Sequence, residues 1–278
     1  MVDISALYSC RYDFIYSNKA AFSKRYIVAT SPRSGSSFLA TLLYHRVGFG
    51  LPLEYFNIDS MAVRYRSTKT SSMQSYYEHV VRVRTDPRTG LFGAKMFARY
   101  AIMMRDSYPD LFRRLFDGGA LILLVRRDIV AQSISLVRAR QTARWFGDRP
   151  EAQQPRYDRV AIANALRYIR LNEKWWSDFA EAQALPFISI FYEDIVSNSA
   201  EVLKSLANFL NVEGCENRVE FDFSLVAQSD EINIDWSERF AKEHNFIDIR
   251  ADAQCPYLRC VAAALNRSNG LRAQYSRK

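Results

Sequence analysis

An arginine set among hydroxyls and a glycine, at the end of an apolar run, carries the clearest chemistry in the chain: Tyr26 to Ser37 reads YIVATSPRSGSS. Backbone N–H groups at a helix N-terminus lack intrahelical partners and sit at the positive end of the helix dipole. Ser34, Gly35, Ser36 and Ser37 would therefore wrap a tetrahedral anion such as phosphate or sulfate. Arg33 would add a planar fork of donors. The loop departs from GxxxxGK[ST], whose lysine reaches the β- and γ-phosphates of a nucleoside triphosphate, because it has no lysine.

A second segment, Leu121 to Val137 (LILLVRRDIVAQSISLV), runs from an apolar stretch into Arg126 and Arg127, with a helical pattern starting near Asp128. Ser133 follows Arg126 by seven residues and Ser135 follows Arg127 by eight, about two helical turns. An arginine at a strand end and a serine on the next helix would hold a further phosphate, so that the two segments together would suit a nucleotide with two separated anionic groups. The alternative is a surface ion pair from Arg126 or Arg127 to Asp128.

The elements that must position these residues alternate. Apolar runs at Tyr26–Thr30, Leu91–Phe97, Ala120–Val125 and Phe187–Phe191 read as strands buried on both faces. Helical patterns cover Ser36–Val47, Ser107–Phe116, Ile129–Trp145, Tyr157–Ala184, a stretch from Asn198 through Leu210, and Cys260–Leu271. This alternation predicts an α/β fold of three layers with a central, mainly parallel sheet, and ligands beyond the carboxyl ends of the strands. Met61–Thr89 is polar and weakly periodic and reads as a variable connection or a mobile flap; Gly147–Pro155 reads as a loop.

With 278 residues, 49% of them hydrophobic, the chain is read as one domain spanning 1–278 with a sizeable core. A net charge of +8, mostly arginine, favours small anions, yet no run of five basic residues forms a nucleic-acid arm. Cys10, Cys215, Cys255 and Cys260 form no CxxC pair and no zinc spacing with His45, His79 or His244, so no metal site is expected and a reducing compartment is. Without an apolar leader or a run long enough to span a membrane, the expected location is cytoplasmic.

Taken in order, PRSGSSFLATLL, GLPLEYF, LFGAKMF, VRRDIVAQSISLVRARQTARWF, YEDI and DWSERF resemble the bacterial Stf0-type family of P-loop-like sulfotransferases, one of whose members sulfates trehalose. The resemblance spans about residue 26 to 240. It implies 3′-phosphoadenosine 5′-phosphosulfate (PAPS) as donor, with Arg33, Ser34, Gly35, Ser36 and Ser37 cradling the 5′-phosphosulfate and Arg126, Arg127 and Ser135 taking the 3′-phosphate. It aligns Glu54 with the family's general base and makes Arg33 the second catalytic group; His45 is the competing base. The acceptor, a small carbohydrate or a glycolipid, would lie along Leu51, Pro52, Leu53, Glu54, Tyr55, Phe56 and Asn57, with Tyr55 and Phe56 available to stack on a sugar or, for one of them, to pack in the core.

The resemblance further implies in-line sulfuryl transfer without a metal, and a homodimer. Trp236, Arg239 and Phe240 resemble the segment that closes over the nucleotide, and Lys95 would either approach an anion or snorkel from the sheet edge. Pro32, before Arg33, cannot donate a hydrogen bond where the trehalose-sulfating member has a polar side chain. A P-loop kinase or NTPase would need the missing lysine and a strand-end aspartate for magnesium. A nucleic-acid-binding protein would interleave arginines with aromatics on a strand face, whereas here they stand at strand ends.

Overall fold

A computed structural model describes residues 13, 24–57, 61, 70–145, 153–213 and 231–243. The four cysteines, the Cys260–Leu271 pattern and most of Gly147–Pro155 lie outside the described residues. The four apolar runs form strands β1 (Lys24–Thr30), β2 (Leu91–Phe97), β3 (Ala120–Val125) and β4 (Phe187–Phe191). All pairings are parallel, in the order β2-β1-β3-β4. Alternation of side chains along β1 divides the core in two. Ile27 and Ala29 join one apolar cluster with Phe92, Leu121 and Leu123, while Tyr26 and Val28 join another with Leu39, Leu43, Ile122 and Leu206.

Helices α1 (Ser36–His45) and α7 (Tyr192–Leu210) supply the second cluster. The first is covered by α2 (Met73–Arg84), α3 (Ala98–Ser107), α4 (Pro109–Phe116), α5 (Ile129–Thr142), α6 (Arg159–Ala182) and α8 (Glu231–Glu243). The sheet thus lies between two helical layers, as the alternation predicts. Chain order runs from β1 to β2 on one side and returns to β3 on the other, so the direction of winding reverses beside β1. That reversal opens a crevice at the carboxyl ends of β1 and β3, where an α/β sheet takes its ligand. Arg33 and Arg126, whose charges act on each other, both enter there.

Several stretches differ from expectation, and α3 and α8 lie where no helical pattern was read. Met61–Thr89 contains α2, whose Tyr76, Tyr77 and Val80 are buried in the core, and whose N-terminus is fixed by a reciprocal Ser72–Ser75 capping box. The helix expected from Asn198 begins earlier: Tyr192–Asp194 is the first turn of α7, which kinks at Asn198. Among the described residues no helix is long and apolar enough to cross a membrane.

Candidate active site

The loop after β1 is tied to the sheet and to α5. Thr30 Oγ1 donates to the Leu124 carbonyl at 2.9 Å and lies 2.6 Å from Ser34 Oγ. Gln132 Nε2 donates to Ser31 Oγ at 2.9 Å and to the Pro32 carbonyl at 2.8 Å, so the residue at the mouth of the loop is held through its backbone. Arg33 and Gly35 adopt left-handed backbone conformations, with φ of 65° and 83°. A Cβ on Gly35 would come within 2.2 Å of the Tyr192 ring, so position 35 requires glycine on both counts. Gly35 is also the N-cap of α1 and offers no side chain to its first-turn amides, which leaves the dipole end to an anion.

Arg33 reaches across the crevice. Its Nε donates to Ser135 Oγ at 2.9 Å and its Nη1 to the Trp145 carbonyl at 2.5 Å. Burial, and then the like charges of Arg126, Arg138 and Arg144, lower its pKa to about 10. A guanidinium buried among three others is an electrostatic cost that a multiply charged anion would offset. Arg126 lies over the Tyr192 ring at 5.0 Å and 4.0 Å from the Glu193 carboxylate. Arg138 Nη1 donates to Asn233 Oδ1 at 2.8 Å, fastening α8 to α5.

Arg127 turns the other way. It makes a bidentate pair with Asp194 at 2.6 and 2.9 Å, covers the Phe191 ring at 4.0 Å and is half exposed. Its hydrogen bond holds the Asp194 carboxyl below the ordinary value. Asp128 caps α5 through the Ala131 amide rather than pairing with either arginine. Ser135 therefore meets Arg33 and not Arg127, and Ser133 is buried, donating to the Ile129 carbonyl.

Glu54 approaches from the opposite side. Leu53 bridges Ala94 beside β2, and the Lys95 amide donates to the Leu53 carbonyl at 2.9 Å, which sets Glu54 next to Lys95. Lys95 Nζ lies 2.9 Å from Glu54 Oε1 and donates to Ser37 Oγ at 3.1 Å. Asn57 Nδ2 donates to Glu54 Oε2 at 2.7 Å. The carboxylate is thereby brought within two hydrogen bonds of the anion loop. Lys95 is 3% exposed and does not snorkel.

The neighbours of Glu54 face inward. Leu51, Pro52, Leu53, Tyr55 and Phe56 are buried. Tyr55 stacks on Phe92 and Phe56 on Tyr77. This corrects the expectation that Tyr55 and Phe56 stack on a sugar; their rings are core, and Glu54 and Asn57 are the partly exposed side chains of the segment. Trp236 and Phe240 are likewise core residues, with Trp236 edge-on to Tyr157, and Arg239 pairs with Glu243. His45 ends α1, about 14 Å of helix from the loop, too far for a base acting there.

Arg138 and Arg144 were not singled out in the sequence. Arg138 follows Ser135 by three residues and so shares its helix face, which is a signal the spacing did contain. Lys95 as the partner of Glu54 could not be read, since it depends on a strand pairing across forty residues.

A family model described as Stf0 sulphotransferase matches residues 25–243. The trehalose 2-sulfotransferase of Mycobacterium tuberculosis (strain ATCC 35801 / TMC 107 / Erdman) is 24% identical, over 78% of this chain and 94% of that protein. Trehalose 2-sulfotransferase of Mycolicibacterium smegmatis (strain ATCC 700084 / mc(2)155) is also 24% identical with the same coverage. Among solved structures, a sulfotransferase domain from the curacin biosynthetic pathway aligns at 17% identity and a TM-score of 0.49, covering 88% of this chain and 97% of that one.

Proposed function

Because the chain belongs to the Stf0 sulphotransferase family, we propose that it moves a sulfuryl group from PAPS to a hydroxyl of a carbohydrate acceptor, a sugar or a glycolipid headgroup. The observation that carries this reading is that Lys95 links a carboxylate, Glu54, to Ser37 at the start of α1, on the loop whose Arg33 is held among like charges. The donor supplies an activated sulfuryl group bonded to its 5′-phosphate. The residues present suit it: the uncapped end of α1 and Arg33 would take the 5′-phosphosulfate, while Ser135, hydrogen-bonded to Arg33, and Arg126, whose charge acts on Arg33, would serve the 3′-phosphate.

Glu54 accepts the acceptor hydroxyl's proton as that oxygen bonds to sulfur. The bond from sulfur to the 5′-phosphate oxygen breaks, and adenosine 3′,5′-bisphosphate leaves. Arg33 and the first-turn amides of α1 stabilise charge on the departing phosphate, and their fixed orientation means little reorganisation during transfer. Arg127, tied to Asp194, orders the turn that carries Arg126. We extend the proposal to a homodimer, which the family resemblance implies, and to a cytoplasmic location.

Ligand-dependent melting tests the donor site. Adenosine 3′,5′-bisphosphate at a hundred times its Kd stabilises by about 2.7 kcal/mol, and Mg-ATP gives a smaller shift or none. Stabilisation by Mg-ATP alone would contradict the reading.

A further inference from the structure

Lys95 stands where the two halves of the site meet. It sits two residues before the end of β2, in register with Val28 of the central strand, and its ammonium is almost wholly buried. Burying an ammonium is costly unless it is paired and hydrogen-bonded; Glu54 Oε1 at 2.9 Å and Ser37 Oγ at 3.1 Å meet that need. Asn57 grips the other carboxylate oxygen. A glutamate on a connecting segment would otherwise sample several rotamers, whereas a base must stand within hydrogen-bond reach of the proton it removes. The clamp fixes the carboxylate against the same sheet that fixes the donor loop.

Resting on the reading of Glu54 as the base, we propose that Lys95 is a positioning residue that acts through Glu54, holding its carboxylate and Ser37 in one geometry. Transfer itself is unchanged: the proton goes to Glu54 while the acceptor oxygen bonds to sulfur and the 5′-phosphate oxygen departs. A lysine acting instead directly on the transferred group would contribute independently of Glu54. The two roles are separable because residues that act as one unit are non-additive.

The test is a cycle of Lys95→Met, Glu54→Ala and the double variant, assayed for sulfate transfer from PAPS and for bisphosphate affinity. Lys95→Met is expected to lower kcat on the order of 100-fold, with bisphosphate affinity within about twofold of the parent protein. The double variant should lose no more than Glu54→Ala alone, and Lys95→Arg should recover part of the loss. Losses that multiply in the double variant, or a Lys95→Met protein as active as the parent, would overturn the proposal. If Lys95→Met does not fold, as its melting curve would show, Lys95→Gln takes its place in the cycle, where multiplying losses or parental activity would again overturn the proposal. Full activity of Glu54→Ala on its own would instead overturn the base assignment, a failure visible before the cycle is closed.

Discussion

At the scale of single residues, the proposed donor site turns on a choice between two adjacent arginines. Arg126 and Arg127 leave β3 consecutively, and side chains at consecutive extended positions point to opposite sides. Arg126 turns into the crevice with Arg33, and Arg127 turns out to Asp194. Removing Arg126 should weaken adenosine 3′,5′-bisphosphate roughly 10- to 100-fold, the range expected for a lost hydrogen bond to a charged group. Removing Arg127 costs an exposed pair of low worth, so affinity should hold within about threefold. Titration calorimetry on both alanine variants would show it, and a larger effect at Arg127 would reverse the assignment. The sequence marked this segment as a candidate anion site, because the RR dipeptide, Ser135 and the strand-to-helix transition are local. It did not mark which arginine faces the crevice, since that depends on Asp194, sixty-seven residues on.

At the scale of elements, β1, β2 and β3 were legible because they are buried and read as unbroken apolar runs, whereas β4, read the same way, is an edge strand of the sheet and leaves Phe187 and Ser189 exposed. Helix α2 was not legible, because its buried residues include two tyrosines and its cap pairs two serines in place of the usual glutamate. Helix α6 carries a cost that its sequence also hides. Burial raises Glu173 to about 7, only partly offset by Arg170, and its Oε1 has no hydrogen-bond partner. The folded protein thus holds a proton there that the unfolded chain releases near the ordinary value of 4.5. Stability from this group is full below 4.5 and is lost as pH rises through about 7. Glu173→Gln should flatten that loss and raise the melting temperature at pH 8 by a few degrees, with no change at pH 4. A variant less stable than the parent at pH 8 would show that the carboxylate is favourably held. Scanning calorimetry across pH distinguishes the outcomes.

At the scale of the whole molecule, a reversal of winding beside β1 brings together three segments that are distant in sequence: the Arg33 loop, the start of α5 and the Glu54 segment. The first two were legible as candidate anion sites from local pattern. The third was marked as a candidate acceptor segment only through a family resemblance, and its aromatic residues proved to be core because β2 and α2 cover them. This topology gathers positive charge, with Arg126, Arg138 and Arg144 acting on Arg33 at the crevice. The central claim is that this crevice joins a sulfuryl donor to a hydroxyl that Glu54 deprotonates. Its most direct test is transfer from PAPS to a panel of sugars and glycolipids, read by mass spectrometry for one added sulfuryl group, with the parent protein and Glu54→Gln side by side. The account predicts a sulfated acceptor and stoichiometric adenosine 3′,5′-bisphosphate from the parent, and a rate lower by on the order of 100-fold or more from Glu54→Gln although it still binds the bisphosphate. Equal rates from the two proteins would contradict it.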